Sequence, residues 1–216
     1  MGYNENMIVR GICLRATNYK EKDKILTLAT LEKGKTSLVA RGVRNPAAKL
    51  KAGCMPLVFG EFSISQGRGT PILTGVEVEE NFHNCWTDTD KNLASLAVLE
   101  LLEKSAVENQ DISREIVYAL KSLKEINYSA VFPYASTVWF ILKVIRHIGV
   151  DYTIEELPKD VRQALNDIAS ADIDEVETLE IMPKSVITSL YYLNLIIKNQ
   201  LLIKISILDY INKQNQ

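Results

Sequence analysis

The sequence has few residues suited to metal binding or thiol chemistry. Its 216 residues include only three cysteines and two histidines, and no two cysteines form a CxxC pair. This spacing argues against a disulfide framework and against a four-cysteine zinc site. We therefore interpret Cys13, Cys54 and Cys85 as small buried hydrophobic residues, and we expect no metal and no cofactor.

Long apolar runs and common catalytic motifs are also missing. The uncharged apolar stretch at residues 185–197 has only 13 residues, and a helix that crosses a bilayer needs about 20. The first residues lack the basic flank and apolar region of a secretory signal. No P-loop, GxSxG or HExxH motif is present, and the pair His83 and Cys85 lacks further ligands, so we interpret it as structural. We expect a soluble cytoplasmic protein, with no membrane partner, no small-molecule substrate and no enzymatic activity.

Acidic residues are missing from one particular segment. No Asp or Glu lies between Glu32 and Glu61, whereas this interval holds Lys33, Lys35, Arg41, Arg44, Lys49 and Lys51. Residues 1–73 contain 12 Lys and Arg against 5 Asp and Glu, a balance of +7, and residues 74–216 contain 13 against 22, a balance of -9. Because like charges repel one another, the segment predicts an anionic ligand.

Lys and Arg bind phosphate oxygens and release condensed counterions, whatever the base sequence. If all six cations touched single-stranded phosphates, a fourfold rise in salt would weaken binding by roughly two to three decades. No aromatic residue lies between Lys33 and Phe59, so this segment offers no ring on which a base can stack. We therefore predict similar tolerance of single and double strands. Arg68, in the turn QGRGT, extends the positive surface.

Alternating and β-branched residues in the first 80 positions predict five short strands. The runs are Met7–Leu14, Ile25–Leu31, Thr36–Ala40, residues 56–65 and residues 71–78. In the fourth run the alternation slips by one residue at Gly60 and Glu61, which predicts a bulge, and Phe59 and Phe62 are expected in the core. A strongly bent strand among five favours a small closed barrel of the OB type. We place this domain at residues 1–80, with the loop 17–24 joining its first two strands.

After Asn84 the hydrophobic period changes to that of a helix, which predicts an α-helical domain over 81–216 and an α+β protein overall. Asp88 or Thr89 and then Asp111 can cap the first two helices, and Gly149 can end the third. Pro158 opens a fourth helix. The acidic stretch DIDEVETLE is expected to form a loop or frayed turn, and a long helical stretch runs from Pro183 to Asn212.

Residues 7–62 resemble the N-terminal domain of the bacterial recombination mediator RecO, the DNA repair protein O family. The matching positions are Tyr19, Glu21, Asp23, Thr30, Gly34, Lys35, Ala40, Arg41, Gly42, Arg44 and Pro56. The resemblance implies DNA repair and recombination through sequence-independent binding of single- and double-stranded DNA, strand annealing and a nucleoid-associated location. It also implies RecR and the single-stranded DNA-binding protein SSB as partners, with loading of the RecA recombinase as the outcome.

Two features depart from the pattern of that family. Many members carry a four-cysteine zinc site after the third helix, whereas the corresponding residues 149–170 contain no cysteine. In some members the start of the same helix bears arginines implicated in docking the acidic tail of SSB. Here residues 137–140 read Thr-Val-Trp-Phe. The resemblance therefore implies neither a zinc ion nor that docking site in this chain.

Three alternatives to this DNA-binding interpretation stay open. The basic segment can be a solvated surface loop with no ligand, as charge runs often are. The barrel can instead be an adaptor that docks an acidic protein and never meets a nucleic acid. It can also be an RNA-binding OB module, which would prefer RNA through contacts with the 2'-hydroxyl group.

Overall fold

A computed structural model describes residues 5–66, 69–130, 132–150, 154 and 156–214. Five strands precede the helices in this part of the chain, which confirms the α+β class. The strands are β1 Glu5–Tyr19, β2 Asp23–Thr30, β3 Gly34–Ala40, β4 Phe59–Gln66 and β5 Ile72–Glu80. The helices are α1 Thr89–Ser105, α2 Ser113–Tyr128, α3 Tyr134–His147, α4 Lys159–Ser170, α5 Pro183–Leu201 and α6 Ser206–Gln214, with 3₁₀ helices at His83–Trp86 and Ile173–Thr178.

The five strands close into a barrel in the order β1-β2-β3-β5-β4. The long strand β1 makes this possible, because its first half pairs with β4 and its second half with β2, both antiparallel. The barrel closes where β3 and β5 run parallel and pair at Val39 and Ile72. This arrangement confirms the predicted five-stranded barrel of the OB type.

The barrel interior is filled by one set of alternating side chains. Cys13, Leu26, Leu28, Leu38 and Phe62 are among its fully buried members. Phe59 is also buried, as predicted. The register between β4 and β5 shifts at Phe59 and Gly60, which confirms a bulge at the point where the sequence pattern slips, and it shifts again at Ser63 and Ile64.

The connection between β1 and β2 is shorter than the sequence indicated. The predicted loop over residues 17–24 is wrong, because Thr17, Asn18 and Tyr19 pair with Ile25, Lys24 and Asp23. Only residues 20–22 remain as a turn, in which Lys20 adopts a positive φ of 51°. Cross-strand pairing here outweighs the low strand propensity of Asn, Lys and Asp. We call residues 19–23 the hairpin tip.

The chain divides into two compact units. The barrel unit comprises residues 1–81 together with 105–116, and the helical unit comprises 82–104 and 117–216. The boundary predicted after residue 80 leaves the segment 105–116 out of the barrel domain. That segment is fixed on the turn between β2 and β3, where Lys35 donates its main-chain N–H to Val107 and Asn109 donates to Lys33.

Most predicted helix ends are confirmed. The Asp88 carboxylate accepts a hydrogen bond from the main-chain N–H of Lys91 at the start of α1, and Asp111 accepts one from Ser113 at the start of α2. The last stretch differs from the prediction, because Leu202 takes a positive φ of 56° and separates α5 from α6. The acidic stretch forms an ordered 3₁₀ helix with a capping box between Asp172 and Glu175. None of the helices in the described ranges has the length and hydropathy needed to cross a membrane.

Candidate nucleic-acid interface

Residues 41–58 connect β3 to β4, and we call them the basic loop. Successive turns shape this loop. Main-chain N–H groups donate to the carbonyl oxygen three residues earlier, from Asn45 to Gly42, Ala48 to Asn45, Lys51 to Ala48 and Cys54 to Lys51, at 3.0 to 3.2 Å. A loop that satisfies its own main-chain groups in this way has a defined conformation.

Apolar side chains fasten the basic loop to the barrel. Val43 and Cys54 are buried members of the barrel core, and Leu50 packs against the same cluster. Burial raises the pKa of the Cys54 thiol to about 11, and burial with the neighbouring Cys54 raises that of Cys13 to about 12. All three cysteines are buried free thiols, as the sequence indicated. The loop therefore has an apolar side that belongs to the core.

The opposite side of the basic loop is tied to the hairpin tip. Arg44 donates its main-chain N–H to the carbonyl of Lys22 at 3.0 Å and its Nη1 to the carbonyl of Lys20 at 2.9 Å. The N–H of Gly42 donates to Oδ1 of Asp23 at 2.8 Å. Lys24 donates its Nζ to the carbonyl of Cys54 at 3.1 Å. The tip and the loop thus form one surface.

The predicted cations of this loop are displayed on that surface. Arg41, Arg44, Lys49 and Lys51 are all exposed. Within the described part of the barrel unit, no carboxylate pairs with Arg41, Lys49 or Lys51, and the side-chain partner of Arg44 is a neutral carbonyl. Their positive charge therefore remains available to a polyanion, and phosphate oxygens are the ligands that Arg and Lys bind best in this setting.

Two exposed lysines that the sequence reasoning did not select also belong to this surface. Lys20 and Lys22 lie at the hairpin tip beside Arg44. They alternate with Glu21 and Asp23 along the chain, a pattern that by itself favours local ion pairs. In the structure, however, the Asp23 carboxylate accepts from the main chain of Gly42. No sequence signal distinguishes these two situations, because the second depends on a contact between loops.

The remaining predicted lysines lie at the other end of β3. Lys33 and Lys35 line a cavity of about 360 Å³ together with Thr36, Ser37, Gln66, Pro71, Glu108 and Asn109. Lys35 and Arg41 are six positions apart along an extended strand, a distance of roughly 20 Å. The cations therefore form two groups. Arg68 lies outside the described residues.

The outer surface of β1, β4 and β5 carries the opposite charge. Arg10 pairs across the sheet with Glu61, which in turn pairs with Glu77. Arg10 makes a bidentate ion pair with Glu79 at 2.5 and 2.7 Å. The hydrogen bond to Glu79 raises the pKa of Arg10, and the same bond lowers the pKa of Glu79. A polyanion would be repelled by this side and attracted to the basic loop.

The residues of two other segments considered from the sequence are divided between the surface and the core. His83 is exposed while Cys85 is buried, and the Cys85 Sγ lies 3.8 Å from Oδ1 of Asn127. At the start of α3, Thr137, Val138 and Phe140 are fully buried. These α3 residues belong to the core of the helical unit and are not displayed to a partner.

The part of the chain that forms the barrel is similar to known proteins. Residues 5–82 match the family model described as Recombination protein O N terminal. This part of the chain is therefore similar to the N-terminal domain of RecO proteins. A protein named DNA repair protein RecO from Syntrophomonas wolfei is 31% identical over 124 residues, which cover 57% of this chain and 50% of that relative.

Other RecO proteins show the same level of similarity. The DNA repair protein RecO of Listeria monocytogenes is 31% identical over 146 residues, 68% of this chain and 57% of the relative. That of Desulfitobacterium hafniense is 28% identical over 138 residues, 64% of this chain and 50% of the relative. The chain thus spans about half the length of the curated RecO relatives it matches.

Proposed function

We propose that this chain is a non-catalytic recombination mediator of DNA repair that binds DNA through the basic loop and the hairpin tip. The observation that carries the proposal is the display of Arg41, Lys49 and Lys51 on a fixed loop without a carboxylate partner in the described part of the barrel unit. Backbone contacts of this kind do not depend on base sequence. The RecO match over residues 5–82 supports the same role.

The direct test is fluorescence anisotropy with random-sequence single-stranded DNA at two salt concentrations. The triple variant Arg41→Glu, Lys49→Glu and Lys51→Glu leaves Arg44 in place, because Arg44 ties the loop to the hairpin tip. We expect affinity to fall by at least about tenfold and the salt slope to fall by about 2, at roughly 0.7 per lost phosphate contact.

A matched control reverses three exposed lysines of the helical unit, Lys121, Lys124 and Lys184. It changes the net charge by the same amount, so a specific role for the basic loop requires that this control bind nearly normally. Equal losses in the two triple variants would reduce the effect to net charge. If the unmodified chain showed no salt-dependent binding, the DNA proposal would be overturned and the adaptor for acidic proteins would remain. Tighter binding of RNA than of DNA of equal length would favour the RNA module.

We extend the proposal to the partners that the RecO resemblance implies. In this view the barrel unit holds the DNA backbone, the helical unit engages RecR and SSB, and the coated strand is annealed or prepared for RecA. Annealing of complementary strands coated with SSB tests this, with and without RecR. The triple loop variant should anneal slowly. Full annealing by that variant would show that the basic loop is not the DNA-binding element of the mediator.

A further inference from the structure

Tyr19 is the aromatic residue that the barrel places at the candidate interface. It is the last residue of β1 and pairs with Asp23, the first residue of β2. Its exposed fraction is 38%, and no other aromatic residue in the described part of the barrel unit is exposed. The strand pairing fixes its main chain, so the ring is presented from a defined position.

The Tyr19 side chain shares a face of the hairpin with Asp23. Side chains of directly paired residues on neighbouring antiparallel strands lie on the same face of the sheet, so Tyr19 and Asp23 share a face. The Asp23 carboxylate is bound to the first turn of the basic loop through the N–H of Gly42, at 2.8 Å. The ring therefore lies on the same face of the hairpin as the carboxylate that holds the basic loop.

A cation already lies against this ring. The Lys20 Nζ is 5.1 Å from the centroid of the Tyr19 ring, a cation–π distance. An aromatic ring has two faces, so one can meet a base while the other keeps the ammonium group. Lys20 and Arg44, joined through the Lys20 carbonyl, would then bind the phosphates on either side of that base.

We propose that Tyr19 stacks on an unpaired base and gives this interface a preference for single-stranded over double-stranded DNA. The inference rests on the proposed DNA-binding function. In a duplex the bases are stacked on one another and offer no free face, whereas a single strand offers one at each nucleotide. The expected similar tolerance of both forms considered only the sequence from Lys33 to Phe59, and Tyr19 lies outside that range.

Three variants separate stacking from charge and from folding. Tyr19→Ala removes the ring, Tyr19→Leu keeps an apolar side chain of comparable size, and Tyr19→Phe keeps the ring. We expect Tyr19→Ala and Tyr19→Leu to bind single-stranded DNA about 5- to 100-fold more weakly, which corresponds to the loss of one stacked base. Duplex binding should change by less than about twofold, the salt slope should not change, and Tyr19→Phe should resemble the unmodified chain.

An oligonucleotide without bases supplies a second, independent measurement. A single-stranded abasic sugar-phosphate polymer of the same length should bind the unmodified chain and Tyr19→Ala equally. An unchanged ratio of single-strand to duplex affinity in Tyr19→Ala would overturn the inference, as would equal weakening on the abasic polymer. If these results occurred while the triple loop variant still lost binding, only the stacking role would fail, whereas unaltered binding by the triple variant would remove the proposed function itself.

Discussion

The main-chain N–H of Gly42 donates a hydrogen bond to Oδ1 of Asp23 at 2.8 Å, and this bond joins the hairpin tip to the basic loop. An acidic side chain in the middle of a cationic surface would ordinarily weaken the binding of a polyanion. Here its charge is directed at the main chain of the loop. Asp23 thus contributes to the interface through geometry, although it opposes the ligand electrostatically.

This relationship predicts an outcome that charge counting does not. Asp23→Ala removes a negative charge, so electrostatics alone would tighten DNA binding. We expect weaker binding, because the loop loses its tie to the hairpin, together with a fall of about 1–2 kcal/mol in the free energy of unfolding. Glu21→Ala is the matched control, since it removes an exposed acid from the same tip. That control should bind DNA slightly more tightly, and parallel behaviour of the two variants would contradict the structural role of Asp23.

Gly34, the first residue of β3, cannot accept a side chain. Its φ is +63°, and an added Cβ would lie 2.5 Å from the carbonyl oxygens of Val107 and Gln110. We expect Gly34→Ala to lower the free energy of unfolding by about 2–4 kcal/mol, measured by urea denaturation. Gly42→Ala separates the two causes. Gly42 has a similar φ of +68°, but an added Cβ would meet only the Asn45 amide at 3.7 Å, an ordinary contact, so this change should cost only about 1 kcal/mol. Equal costs at the two glycines would show that the contacts of Gly34 contribute nothing.

Glu100 in α1 holds the start of α6. Its carboxylate accepts a hydrogen bond from the main-chain N–H of Ile207 at 2.9 Å and one from Lys104 at 2.7 Å. Burial alone would raise the pKa of Glu100, but these hydrogen bonds outweigh burial and lower it.

Because the pKa is lowered in the folded state, the carboxylate stabilises the fold above its ordinary pKa of about 4.5, and that contribution is lost as the pH falls below it. We expect Glu100→Gln to cost about 1 kcal/mol at pH 7 and progressively less toward pH 3. Chemical denaturation over that pH range measures the difference. A cost that does not depend on pH would assign the effect to packing.

The buried thiols should be unreactive in the native protein. Raised pKa values of about 12 for Cys13 and about 11 for Cys54 leave very little thiolate near neutral pH. We expect alkylation of these two residues at pH 8 to be at least about 100-fold slower in the native chain than in urea, since each pKa unit removes about tenfold of the thiolate. Peptide mapping after labelling assigns the rates. Rapid native labelling of Cys13 would show that the barrel opens readily.

The sequence predicted the barrel because alternating apolar residues reflect a strand with one buried side and one exposed side. Phe59, Phe62 and the slip at Gly60 follow directly from that alternation, and Asp88 and Asp111 were recognisable as caps from local chemistry alone. The end of β1 was missed because Thr17 to Tyr19 are polar or exposed there. Their strand conformation comes from pairing with β2, which no local preference reveals.

The candidate site was predictable in its charge but not in its arrangement. The absence of acids between Glu32 and Glu61 identified the cations. The pattern does not reveal that Lys33 and Lys35 lie at the opposite end of β3 from the basic loop. Tyr19 and Lys20 join the site only through a contact between two loops distant in sequence. Residues such as Leu202, where a helical stretch breaks, likewise depend on neighbours that a local pattern does not include.

The basic loop holds its place through Val43, Leu50 and Cys54, while its guanidinium and ammonium groups take no part in the barrel core. The packing of the loop and its positive charge thus depend on different residues of the same short segment. A lineage can exchange Lys49 or Lys51 for neutral residues one at a time and still inherit a folded domain. Relatives that share this barrel can therefore differ widely in the positive charge of this loop.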